Sequence, residues 1–150
     1  MKILLDTNIL VYCHDAADPA RQEQAITILD NLRLHGIGKI SAQSLAEFCN
    51  VMIRPYRGAS ARLTSGEAQR IAGVISAQFE VFPVTALTVL EAMNGVKDHK
   101  LSYFDAQIWA AARLNETPVI FSEDFQDGQT LEGVKFVNPF AAEFNLAVWV

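Results

Sequence analysis

Four acids stand where short apolar runs end or where helical patterns begin: Asp6, Glu47, Asp105 and Asp124. Asp6 follows Leu4-Leu5, Glu47 lies in the helical pattern after Ser41, and Asp124 comes just after Ile120-Phe121-Ser122. Asp105 has Ile108, Trp109 and Ala112 three, four and seven residues on, so it shares the apolar face of its helix. A carboxylate on such a stripe is unfavourable unless it is paired, protonated or bound to metal. Glu47 lies at the margin of a stripe formed by Phe48 and Val51, with Asn50 three residues on. No matching set of basic residues stands at these positions. Inward carboxylates without cations repel one another and raise one another's pKa. A hard divalent cation relieves both problems, because Mg²⁺ and Mn²⁺ prefer oxygen ligands and keep several waters. Such a site activates water against a phosphodiester and stabilises the leaving oxygen. Taken one at a time, each acid also fits a simpler role at a helix N-terminus. Asp6 and Asp124 are placed to cap, and Ser44-Leu45-Ala46-Glu47 and Ser102-Tyr103-Phe104-Asp105 have the spacing of a capping box.

The elements that must carry these residues alternate. Strands are predicted over 2–5, 39–41, 79–84, 118–122 and, more weakly, 134–137. Helices are predicted over 7–15, 20–35, 44–53, from Thr64 to about residue 77, 86–97 and 103–115. Thr64-Ser65-Gly66-Glu67 is a capping box at the start of the fourth helix. Alternating strands and helices imply right-handed crossovers and a parallel sheet covered on both faces. The expected architecture is a three-layer α/β/α sandwich around a mainly parallel sheet of four or five strands. In such a fold ligands sit beyond the carboxyl ends of the strands, which is where the acids gather.

Composition narrows the function classes. The chain has 150 residues, 51% hydrophobic and 19% charged, which fits one folded domain and argues against disorder. Its net charge of -5 disfavours a protein that grips nucleic acid by bulk charge. The opening Met1-Lys2-Ile3-Leu4-Leu5-Asp6 meets an acid at once, unlike a secretory signal, and no apolar run is long enough to span a membrane. Cys13 and Cys49 form no CxxC pair and read as reduced, buried hydrophobes, so a cytoplasmic location is expected.

The residues also match a known pattern. Leu4-Leu5-Asp6-Thr7-Asn8-Ile9-Leu10, Ser44-Leu45-Ala46-Glu47-Phe48, Leu101-Ser102-Tyr103-Phe104-Asp105-Ala106 and Ile120-Phe121-Ser122-Glu123-Asp124-Phe125 occur in that order, followed by Val137-Asn138-Pro139-Phe140. With these segments the chain resembles PIN-domain ribonucleases, most closely the VapC type of bacterial toxin. The resemblance implies that Asp6, Glu47, Asp105 and Asp124 form a metal-binding catalytic quartet for Mg²⁺ or Mn²⁺. It implies endonucleolytic cleavage of RNA, water attacking phosphorus to leave a 5′-phosphate and a 3′-hydroxyl. Asn8 and Ser122 match positions that assist the acids. A cognate antitoxin and a homodimer are the implied protein partners.

Asp127, three residues past Asp124, is a further candidate to assist, whereas Asp98 and Glu123 read as solvated. Arg54, Tyr56, Arg57 and Arg62 lie in an acid-free connection after the Glu47 helix. They read either as an RNA-binding group, the arginines on phosphate and Tyr56 on a base, or as a solvated loop. Lys97, His99 and Lys100 read as surface charge, His35 as a helix end, and Trp109 as core. The apolar segment 141–150 is expected to pack on its own domain. Three other functions compete. An aspartyl phosphotransferase of the haloacid-dehalogenase type needs an acid where Asn8 stands. A non-catalytic interaction domain of the same fold does not need all four acids, and a DNA-directed nuclease would use the same site.

Overall fold

The computed structural model describes residues 1–150. β1 (Ile3–Leu5) is followed at once by α1 (Thr7–Cys13), and α2 (Pro19–Leu34) returns to β2 (Gly38–Ser41). α3 (Ala42–Met52) and α4 (Ser65–Gln78) lead to β3 (Glu80–Phe82). α5 (Ala86–His99) and α6 (Tyr103–Leu114) precede β4 (Val119–Phe121), β5 (Thr130–Leu131) and β6 (Val134–Val137). The strands lie in the order β3-β2-β1-β4-β6-β5, parallel except for the antiparallel β5–β6 pair.

β1 shows why the sheet is covered on both sides. All three of its residues are fully buried, yet they point to opposite faces. Ile3 and Leu5 join Ile9, Leu10, Ile28, Leu32 and Phe48 under α1, α2 and α3. Leu4 joins Trp109, Ala110 and Phe136 under α6. The expected three-layer sandwich is the observed one. It carries a sixth strand that sequence periodicity does not show. β5 is only two residues long, and the hairpin to β6 turns through Glu132 (φ 45°) and Gly133 (φ 85°). Positive φ at both turn residues is the geometry of a tight two-residue hairpin.

Helix starts differ from expectation at one place that bears on the site. α3 begins at Ala42 rather than at Ser44, because Ser41, the last residue of β2, accepts the Ser44 N–H through its own side chain. Ser44 therefore caps nothing. It is fully buried, and its hydroxyl donates to the Leu5 carbonyl at 3.3 Å. The Ser44–Glu47 capping box does not form, and Glu47 is released for other partners. The Thr64–Glu67 box does form. The closing segment packs on its own domain as expected: Phe144 and Trp149 both meet Phe121 edge to face, at ring-centroid distances of 5.4 and 5.5 Å.

The acids gather at the edge where strand order reverses. β1 leads to β2 on one side and is flanked by β4 on the other, so the crevice beyond β1 and β4 is the switch point of the sheet. α6 reaches that edge because α5 and α6 pack closely through Gly95. A Cβ at Gly95 would lie 2.9 Å from the Trp109 ring and 3.1 Å from Ala106 Cβ. Trp109 is fully buried and has no room to withdraw. Gly95→Ala is therefore expected to lower stability by about 1–2 kcal/mol in urea unfolding, overpacking outweighing the gain in helix propensity. A variant as stable as the parent would show that the α5–α6 contact is not tight.

Candidate active site

Asp6 is built by the junction of β1 and α1. Its N–H still bonds the Phe121 carbonyl at 3.1 Å, in line with the sheet, while its side chain caps α1 by accepting the Thr7 N–H at 2.7 Å. The other carboxylate oxygen accepts the Ser122 hydroxyl at 2.6 Å. Asp6 is 6% exposed. Burial pushes its pKa up to about 6, and the nearby Asp124 and Glu47 charges push the same way, against the Ser122 and Thr7 hydrogen bonds.

The other acids come to this crevice from separate elements. Glu47, on the second turn of α3, accepts the Thr7 hydroxyl at 2.8 Å on one oxygen and the Gln43 amide at 2.6 Å on the other. Asp124, just past β4, accepts from Asn8 Nδ2 at 3.3 Å, and its N–H donates to Ser122 Oγ at 3.1 Å. Ser122 thus ties Asp6 and Asp124 together through one hydroxyl. Asp124 has its pKa raised by partial burial, then by the charges of Glu123 and Asp105, with Asn8 opposing and Glu47 adding to the rise. Asp105 is half-buried on the first turn of α6, where its carboxylate accepts the Ser102 hydroxyl at 2.6 Å. Asp6 and Asp105 each serve at a helix start and also lie near other acids.

The remaining candidates separate. Asn8 and Ser122 lie among the acids. Asp127 does not: it is exposed and accepts the Asn138 N–H at 2.8 Å, tying its loop to the segment after β6. Asp98 is exposed beside Lys97 at 3.6 Å. Glu123 is not solvated as expected. It accepts from Tyr12 and forms a 2.6 Å ion pair with Arg21, which anchors the loop carrying Asp124. In the arginine loop, Arg62 is engaged: it pairs with Asp15 at 3.2 Å and lies 3.6 Å over the Tyr56 ring. Tyr56 is half-buried beneath it, and Arg54 and Arg57 remain exposed.

Three residues of the site were not singled out from sequence: Thr7, Gln43 and Gln107. Thr7 adjoins Asp6, and Gln43 precedes Glu47 by one helical turn, a spacing that signals a side-chain pair. Gln107 donates to Gln43 Oε1 at 2.7 Å across 64 residues of sequence, which no local pattern reveals.

The donor set suits a hard divalent cation. None of the four acids has a Lys, Arg or His partner in an ion pair. Every polar atom around them is oxygen or an amide, and Asn8 Oδ1 is buried with no hydrogen-bond partner. No three of the acids close into a compact ligand group. Mg²⁺ does not require one, because it keeps several waters and takes one or two carboxylates directly.

The raised Asp6 pKa sets a sign for stability without metal. The native state holds this proton more tightly, so the stabilisation from protonation is complete below the ordinary value of 3.8 and is lost as pH rises through about 6. Asp6→Asn is expected to raise metal-free stability by about 1–3 kcal/mol at pH 7.5, with the difference shrinking towards pH 4. Equal stability of the two proteins in urea unfolding at pH 7.5 would contradict the burial argument.

The family profile described as "PIN domain" matches residues 3–126. No curated protein matches. Among solved structures, the Mycobacterium tuberculosis toxin VapC20, described as cleaving the sarcin-ricin loop, is 23% identical with a TM-score of 0.63, covering 87% of this chain and 98% of its own. A toxin–antitoxin complex from Klebsiella pneumoniae is 19% identical with a TM-score of 0.67, covering 93% and 98%. VapBC2 from Rickettsia felis, bound to a DNA fragment from its promoter, is 15% identical with a TM-score of 0.64, covering 91% and 97%.

Proposed function

The chain belongs to the PIN-domain family, and from that premise we propose that it is a divalent-metal-dependent endoribonuclease, the toxin of a toxin–antitoxin pair. The observation that carries the reading is the acid cluster at the switch point of the sheet, without basic partners and with Asp6 buried among like charges. Asp6, Glu47, Asp105 and Asp124 would hold Mg²⁺ or Mn²⁺. When bound, the cation supplies activation of a water nucleophile and charge to offset that developing on the phosphate.

This chain's own residues prepare the acids for that task. Ser122 and the Thr7 N–H hold Asp6 so that its carboxylate cannot turn away. The Thr7 hydroxyl fixes Glu47 against α1, and Asn8 holds Asp124. Thr7 and Asn8, the two residues after Asp6, therefore each touch one of the other acids. This local arrangement keeps like charges at fixed positions, which is how a charged site is made ready before its ligand arrives. Arg54 and Arg57 are the exposed cations of the loop after α3 and are assigned to the RNA backbone. The net charge of -5 leaves substrate capture to such local groups.

The structural neighbour described as a toxin–antitoxin complex supports an antitoxin partner. Self-association finds support along α5, where Leu87, Leu90 and Met93 are 60%, 65% and 50% exposed. Leu90→Glu is expected to shift a dimer to monomer in light scattering; a monomeric parent would remove this assignment.

The decisive experiment incubates total RNA with the protein, with and without Mn²⁺, and maps the ends by sequencing. Cleavage is expected only with the metal, leaving 5′-phosphate ends. Asp6→Asn and Asp105→Asn are expected to lose more than about 100-fold in rate, equivalent to ~3 kcal/mol of transition-state stabilisation, while circular dichroism stays unchanged. Undiminished cleavage in chelator, or cleavage of DNA alone, would refute the reading.

A further inference from the structure

Two glutamines link the helices that carry Glu47 and Asp105. Gln43 and Gln107 are 6% and 7% exposed. Gln43 Nε2 donates to Glu47 Oε1 at 2.6 Å and to the Phe104 carbonyl at 3.0 Å, which uses both of its hydrogens. Gln43 Oε1 accepts from Gln107 Nε2 at 2.7 Å, and Gln107 Oε1 accepts from Tyr103 OH at 2.9 Å. The donors run in one direction, from Tyr103 through Gln107 and Gln43 to the Glu47 carboxylate. Buried amides are retained without penalty only when paired in this way. A pair of apolar side chains would fill the same space without needing such partners, so packing alone does not account for the two glutamines.

We propose that Gln43 and Gln107 are positioning residues whose amide bridge holds the Glu47 carboxylate and the first turn of α6, which carries Asp105, at the spacing at which the acid cluster takes up a divalent cation. The inference rests on the metal-dependent reading above. Glu47 is a long side chain near other negative charges, and repulsion drives it outward. Space to move is at hand: a cavity of about 660 Å³ opens beside it, bordered by Gln43, Asn50, Val84, Phe104 and Gln107. The Thr7 hydroxyl restrains one carboxylate oxygen, and the Gln43 amide restrains the other. The second Gln43 hydrogen bond, to the Phe104 carbonyl, fixes the backbone next to Asp105. One amide thus sets the positions of two acids that belong to different helices. Partners of this kind behind a metal ligand typically change metal affinity or activity by about 10–100-fold when removed.

The test uses the full chain with Gln43→Met and Gln107→Met, which keep side-chain volume and remove the amides. Mn²⁺ is the probe, followed by calorimetric titration and by the rise in unfolding temperature on metal addition. Half-saturation is expected to rise about 10-fold in Gln43→Met and by a smaller factor in Gln107→Met. At fixed Mn²⁺ kcat falls, saturating Mn²⁺ restores it, and KM for RNA stays unchanged. Variants that lose metal-free stability but titrate like the parent would overturn the proposal, because the bridge would then be purely structural. Should either glutamine variant fail to fold, Tyr103→Phe leaves both amides and frees Gln107 to turn. A small rise in Mn²⁺ half-saturation is expected there, and a superimposable titration overturns the proposal. A parent protein that takes up no Mn²⁺ would refute the nuclease reading and this inference together, whereas a parent that binds and cleaves while the variants match it refutes the bridge alone.

Discussion

A buried carboxylate, Asp6, held close to three more accessible ones, Glu47, Asp105 and Asp124, is the constraint around which this protein is arranged. Asp6 cannot leave the crevice, because its backbone is bonded to β4 and its side chain caps α1. Its pKa rises mainly because burial strips water from the charge, and the neighbouring acids add to the rise. A structure selected for stability alone would place a neutral residue there. Ser122, Thr7 and Asn8 do not neutralise the acids. They orient them, since a hydroxyl or amide hydrogen bond fixes direction while leaving the negative charge in place.

The sheet supplies the rigidity this requires. β1 is buried on both faces and bonded on both sides, so the Asp6 position is set by a tightly constrained strand. Ser41, Ser122 and Asp6 each end a parallel strand, and each passes at once into a cap, a turn or a helix. β1 and β2 pass into α1 and α3 with no spare loop residues, and Ser122, in the turn after β4, meets Asp6 directly. Around this centre the less ordered requirements are met by ion pairs. The Arg21–Glu123 pair, with Tyr12 beside it, holds Glu123 and fixes the loop after β4.

Much of this was legible before folding was considered. Short apolar runs alternating with helical stripes specify a covered parallel sheet, and the acids at the ends of those runs stand at the edge where such sheets bind ligands. The stripe of Ile108, Trp109 and Ala112 shows that Asp105 faces inward, and Asp105 is half-buried. Local chemistry misleads where two caps compete. Ser44 and Glu47 have the right spacing for a capping box, but Ser41 lies three residues earlier and takes the role. Asp127 has the right type and neighbourhood in sequence, yet its carboxylate is occupied by the Asn138 backbone across the chain turn. Arg62 reads as a free cation and proves to be spent on Asp15 and Tyr56.

Residue type, hydrophobic period and the positions of the acids along the chain determined by themselves the class of fold and the edge of the sheet at which the acids stand. These are local properties, set by side-chain chemistry and by the periodicities of strand and helix. Which carboxylate meets which donor was decided only by the tertiary structure. Thr7 reaches Glu47 across 40 residues, Asp6 reaches Ser122 across 116, and Gln43 reaches Gln107 across 64. Such pairs follow from strand order and helix packing, which depend on how the whole core is filled and leave no trace in any short window of sequence.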